Sequence, residues 1–158
     1  MNIATLIDTI AEALAADTAL QGWAALTYEQ DATIYVDIDE RNPPGPDQMP
    51  CVILYPDNKS AGYGRSEKQH RVIVEVWLHD DESRIRLAEH IIEYLGVGRI
   101  ETMRKHVENV VAGIDLGDDG LLEEVLTEYE TVAQFPLFVA VMAMTITEPV
   151  TLGSNYLE

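Results

Sequence analysis

The stretch Arg71 to His79 alternates without a break. Val72, Val74, Val76 and Leu78 form one set, and Arg71, Ile73, Glu75, Trp77 and His79 form the other. A period of two separates two such sets only on an extended strand, because successive side chains there point to opposite faces. The same signature returns near the end of the chain, where Leu137, Val139, Val141, Ala143 and Thr145 oppose Phe138, Ala140, Met142, Met144 and Ile146. Val125, Thr127, Tyr129 and Thr131 alternate just before it, so the last third of the chain reads as a long antiparallel pair. Thr33 to Ile38 reads as a further strand. Cys51 to Tyr55, a continuous apolar run between Pro50 and Pro56, fits a strand buried on both faces.

Helical spacing appears in separate blocks. Ile3, Leu6, Ile7, Ile10, Ala11 and Leu14 make one amphipathic stripe with Asn2 placed as N-cap. Asp80-Asp81-Glu82-Ser83 supplies carboxylates and a cap, and Ile85, Ala88, Ile91, Ile92 and Leu95 then recur at helical intervals up to Gly96 and Gly98. A third helix is expected from about Arg99, carrying Ile100, Met103, Val107, Val110, Val111 and Ile114. The segment around Trp23 to Tyr28 has no decisive period. Arg41 to Pro50, with four prolines, and Asp57 to Lys68, with two glycines, read as surface loops, the second a long projecting connection between strands. Strands in blocks, not in βαβ alternation, indicate an α+β fold: a mainly antiparallel sheet with helices packed on one face. At 158 residues and 47% hydrophobic content the chain can bury a full core as a single domain, expected over residues 1–148 with a C-terminal tail at 149–158.

Charge limits what such a domain can bind. Ten Lys and Arg against 28 Asp and Glu give a net charge of -18, which opposes a duplex-binding role. All the basic residues lie between Arg41 and Lys105, and both ends of the chain are purely anionic. Such a surface can serve solubility, repel or mimic nucleic acid, or dock on a basic partner. No basic leader precedes Ile3, and the longest apolar stretch, Phe135 to Ile146, is too short to span a bilayer. A soluble protein with no membrane partner is expected.

The common catalytic signatures are absent: there is no phosphate-binding glycine loop, no HExxH, no GxSxG and no calcium loop. His79-Asp80-Asp81-Glu82, with His90 or His106, holds the residue types for a metal, but the same acids suit the first turn of a helix. Cys51 is the sole cysteine and reads as a buried hydrophobe, and His70, His90 and His106 have no nucleophile near them in sequence. The expectation is no enzyme activity, no cofactor and no metal.

The order of elements and the local texture resemble the phage tail terminator, or tail-completion, minor tail proteins and their prophage-encoded relatives. The resemblance is carried by the N-terminal helix Ile3 to Leu14, the Pro-rich segment closing on Met49-Pro50-Cys51-Val52-Ile53-Leu54-Tyr55-Pro56, the strand His70 to Val76, two central helices and the final strand pair. It implies a non-enzymatic virion protein that forms a ring, typically a hexamer, on the end of the tail tube. The ring stops tube growth, offers the surface for head–tail joining and lets DNA pass without specific binding. Its implied partners are copies of itself, the tail tube protein and the head–tail connector protein; its implied place is the virion tail, and the host cytoplasm during assembly.

Like-charge walls suit a channel that conducts a polyanion. Glu124, Glu128 and Glu130 are the acids expected to face a lumen or solvent, and Lys59, Tyr63, Arg65 and Lys68 are the candidate tube-contact residues of the long loop. Copies at -18 repel, so ring contacts would set basic residues, Arg84, Arg86, Arg99, Arg104 and Lys105, against an acidic end of the next subunit. Three alternatives stand beside this reading: an acidic inhibitor or nucleic-acid mimic acting on a basic partner, a head–tail connector protein, and a metal-assisted enzyme built on His79 to Glu82.

Overall fold

The structure is a computed structural model of the full chain and describes residues 1–61, 66–117, 119–130 and 134–150. Its elements run α1 (Ile3–Ala16), α2 (Thr18–Tyr28), β1 (Thr33–Val36), β2 (Cys51–Ser60), β3 (Glu67–His79), β4 (Ser83–Arg86), β5 (Ile91–Tyr94), α3 (Gly96–Gly113), β6 (Leu121–Glu130) and β7 (Leu137–Pro149). The five long-range strands form one sheet in the order β1-β2-β3-β7-β6, and β4 and β5 form a separate two-stranded hairpin. Every pairing in the main sheet is antiparallel except β1 with β2. The α+β architecture expected from the block order of elements is the one observed.

The β3–β7 ladder organises the sheet. It pairs thirteen residues of each strand in unbroken register, from Glu67 opposite Pro149 to His79 opposite Leu137. With side chains alternating, this register puts Val72, Val74, Val76 and Leu78 beside Phe138, Ala140, Met142, Met144 and Ile146 on one face. All of these are buried, and Val52 and Leu54 of β2 continue the same layer. The three helices cover it with Leu6, Ile7, Ile10 and Leu14 from α1, Leu20 and Ala24 from α2, and Ile100, Met103, Val107 and Val111 from α3. Burying a side chain of this size stabilises by about 1.5–3 kcal/mol, so this layer is where the fold's cohesion lies.

Local chemistry explains the helix ends. The Asn2 side chain accepts from the Ala4 amide at 2.8 Å and starts α1. Asp17 ends α1 in an extended conformation, and its carboxylate accepts from the Leu20 amide at 2.8 Å to cap α2. Glu29, with φ of 59°, closes α2 in the left-handed region.

One undecided segment is placed and two expectations are corrected. The segment Trp23 to Tyr28 belongs to α2, whose burial rests on little more than Leu20 and Ala24, too sparse a stripe to read. Asp57 to Ser60 and Glu67 to Lys68 are strand residues, so the arm between β2 and β3 is longer and its loop shorter than expected; residues 62–65 lie outside the described residues. The helix expected over Ile85 to Leu95 is instead the β4–β5 hairpin, and only α3 remains of the two central helices. Arg84-Ile85-Arg86 and Ile92-Glu93-Tyr94 also alternate, and the register Arg84 opposite Glu93 and Ile85 opposite Ile92 joins opposite charges and β-branched pairs across the strands. Of the tail expected at 149–158, Pro149 is the last residue of β7 and residues 151–158 lie outside the described residues.

At Gly96, the start of α3, helix and sheet are in close contact: a Cβ there would sit 2.3 Å from the buried Phe138 ring. Gly96→Ala is therefore expected to lower stability by about 1–3 kcal/mol through overpacking. Gly98, with nothing within 4 Å of its Cβ position, should tolerate alanine or gain stability. Thermal denaturation of the two variants separates them; equal midpoints would contradict the contact.

Candidate assembly surfaces

The face of the sheet turned away from the helices is open. Register places Tyr35, Cys51, Ile53, Ile73, Glu75, Trp77, Val139, Val141, Ala143 and Thr145 on it, with Glu124, Leu126, Glu128 and Glu130 along its β6 margin. A small apolar cluster of Met49, Cys51 and Ile53, packed by Tyr35, Ile38, Tyr55, Trp77 and Leu137, closes the β1–β2 side. Burial in it, with Glu75 adding a like charge, pushes the Cys51 thiol up to about 12, so Cys51 behaves as the small hydrophobe expected. On the β6 side the face is acidic. Glu123, Glu124, Glu128 and Glu130 are exposed, and among the described residues none has a cationic side chain within 4 Å. Burial raises the Glu75 carboxyl above its ordinary value; a hydrogen bond with Tyr55 opposes this, and the charge of Glu130 adds to it. Arg71, paired with Asp57 at 3.3 Å, stands at the other end of the face, where it lines an open polar depression with Asn58, Gln69, Glu123, Glu124 and Thr145.

The second surface is the β4–β5 hairpin, which projects from the end of the sheet where β3 stops. Its root is fixed by a buried clamp. Asp80 accepts from the Arg99 guanidinium at 2.8 Å and from the Tyr28 hydroxyl at 2.7 Å, Arg99 also reaches Glu82 at 3.2 Å, and the Leu95 amide donates to the Glu82 carbonyl at 2.9 Å. Burial alone would raise the Asp80 carboxyl, but the hydrogen bonds from Arg99 and Tyr28 outweigh it and hold the group below its ordinary value. Burial, and then the same contact with Asp80, push the Tyr28 hydroxyl well up. Beyond the root the hairpin is bare. Ile85, Leu87 and Ile92 are 62%, 71% and 65% exposed, and Tyr94 meets only the Phe135 ring, itself half-exposed, among aromatic neighbours. Its tip, Leu87-Ala88-Glu89, has φ of 52°, 52° and 72° in succession. Each such non-glycine residue costs roughly 1–2 kcal/mol.

The residues expected to act fall in different places. Glu124, Glu128 and Glu130 share the open face. Lys59 is exposed on β2, and Lys68 on β3 lies 3.7 Å from Glu148, which also holds the buried His70 at 3.5 Å; Tyr63 and Arg65 lie outside the described residues. Arg84 and Arg86 stand on β4, not on a helix, and share the one carboxylate of Glu93. Arg99 belongs to the Asp80 clamp, Arg104 is taken by Glu101 and Glu108 of its own helix, and Lys105 lies 3.8 Å from Glu101. The clamp itself went unread in the sequence, since Tyr28, Asp80 and Arg99 lie far apart along the chain; the acid run at Asp80 was the one signal. Among the described residues no group of three or more His, Cys, Asp or Glu is arranged to hold a metal, and no helix is long and apolar enough to cross a membrane.

No protein-family model matches the chain, and no curated protein does. Among solved structures, the fold is shared with a chain of the virion of a native gene transfer agent particle. The two superpose with a TM-score of 0.50 over 92% of this chain and 95% of that one, at 12% sequence identity.

The clamp makes stability depend on pH. Asp80 is held below its ordinary value, and the Glu101 carboxyl is lowered to about 2, chiefly by Arg104 and then by Tyr129. A depressed carboxyl stabilises fully above its unfolded value and loses that contribution as pH falls through its folded value, so the loss is expected from about pH 4 downward. Asp80→Asn should cost about 1.5–3 kcal/mol at pH 7, as removal of a charged hydrogen-bond partner does. The gap to the unsubstituted protein should narrow in acid. Thermal midpoints between pH 7 and pH 2.5 measure it; a constant gap would contradict the clamp.

Proposed function

We propose that the chain is a non-enzymatic structural protein of a phage-type virion, a tail terminator. In this reading it closes as a ring, of about six copies by the resemblance, on the end of the tail tube. It ends tube elongation and gives the head–tail connector its joining surface. The observation that carries the reading is the fold held in common, over nearly the whole length of both chains, with a component of a gene transfer agent virion. The N-terminal helix, the strand over His70 to Val76 and the final strand pair agree with the resemblance drawn from sequence, whereas one helix and a hairpin stand where that resemblance has two central helices.

The open sheet face supports the second half of the reading, passage of DNA. Glu124, Glu128 and Glu130 present carboxylates to whatever lies in front of them. A wall of this sign gives a moving polyanion no well in which to stop. We assign this face to the lumen, and the end of the β2–β3 arm bearing Lys59 and Lys68, with Tyr63 and Arg65, to the tube. The protein would be found in the virion tail and, before assembly, in the host cytoplasm. The same acidity would serve an inhibitor of a basic protein, but such an inhibitor would remain a small species that captures a cationic partner.

Light scattering over a concentration series decides between them. A closed species of about six times 17.6 kDa is expected, in rising proportion at higher concentration. A fixed monomer that also leaves tube length unchanged in tube assembly reactions would overturn the terminator reading. Glu124→Lys/Glu128→Lys/Glu130→Lys should assemble normally yet retain duplex DNA at low salt and release it as salt rises. If the triple variant binds DNA no better than the unsubstituted protein, the face does not border the DNA path.

A further inference from the structure

We propose that the β4–β5 hairpin of one copy adds to the free edge of β1 of a second copy, extending that copy's sheet. A two-stranded hairpin standing alone in water is marginal. This one also exposes Ile85, Leu87 and Ile92 and carries three consecutive left-handed residues at its tip. Its shape is held at the root by the Asp80 clamp, but among the described residues no other element pairs with its outer edges.

Charge selects the occupant. Arg84 and Arg86 divide a single carboxylate, Glu93, so β4 itself carries a cationic pair, bounded by exposed Asp81 before it and Glu89 at the tip, in a chain that is otherwise strongly anionic. The complementary surface is the opposite end of the sheet. β1 is an end strand with one neighbour, its Val36 is 53% exposed, and exposed Asp31, Asp37 and Glu40 flank it, while the nearby Arg41 is taken by Asp39 at 3.0 Å. β1 and β4 are both four residues long, so one strand matches the other. Strand addition satisfies main-chain groups on both edges while Arg84 and Arg86 meet the acids of the next copy. The sheet's other end strand, β6, is excluded because its glutamates border the face assigned to DNA. The contact joins two different patches, so it is head-to-tail and generates a ring where the rotation closes. It rests on the self-association in the proposed function, and not on tube capping.

Cross-linking tests it on the full-length chain. Ile85→Cys and Val36→Cys are made in separate, differently tagged chains, mixed, and treated with a short bismaleimide; native Cys51 is buried and should stay silent. A heterotypic product joining the two chains is expected. Arg84→Glu/Arg86→Glu should weaken self-association at least tenfold, and mixing it with Asp31→Arg/Glu40→Arg should restore it, with thermal midpoints confirming that each variant is folded. Only homotypic products, no product, or association indifferent to the reversals would overturn the contact. Rings that cap tubes without the heterotypic product would defeat the contact and leave the terminator reading standing. The heterotypic product in a species that never caps tubes would do the reverse.

Discussion

The β3–β7 ladder is the constraint on which the rest of the molecule depends. Because its register is unbroken from Glu67–Pro149 to His79–Leu137, it sorts every residue of the two central strands to one face or the other with no compensating bulge. One face receives the valines, methionines and Phe138 that the helices cover, and the other keeps Glu75, Trp77 and the smaller residues. A slip of one residue would exchange these sets and bury Glu75 beneath α3. The neighbouring strands inherit their orientation from this ladder: β6 turns Val125 and Tyr129 toward α3 and Glu124, Glu128 and Glu130 away from it.

From that sorting follows a molecule with unlike surfaces. The helix face is finished and closed, the open face is acidic along β6, and the hairpin leaves the end of the sheet with its apolar residues uncovered. A protein acting alone gains little from such an exposed hairpin, whereas a subunit of a larger body has use for both a surface that joins and a surface that repels. The clamp at Asp80 connects the two regimes. It ties α2, the end of β3 and the start of α3 at the point from which the hairpin springs.

Much of this was legible in the sequence wherever a single face is buried. Arg71 to His79 and Leu137 to Ile146 announce their strands because one side of each is in the core, and Leu6, Ile7, Ile10 and Leu14 announce α1 for the same reason. Legibility failed where burial is sparse or local and tertiary preferences disagree. α2 buries too few side chains to show a stripe, and Ile85 to Leu95 has helical spacing yet forms a hairpin whose apolar residues stay largely exposed. The acids of β6 could be placed because their strand could be placed. The pairing of Tyr28, Asp80 and Arg99 could not, since it depends on which elements meet in space, and neither could the sharing of Glu93 by Arg84 and Arg86, which follows from a hairpin turn that the spacing did not foretell.

The most direct test of the account is cryo-electron microscopy of tail tubes polymerised from the tube protein of the same virion with and without this protein. The account predicts a ring of this chain at one end of each tube, with the helices outward and the acidic sheet face lining an opening continuous with the tube's bore. Tubes that grow with bare ends while the protein stays in solution, or a ring whose opening is lined by the helices, would contradict it.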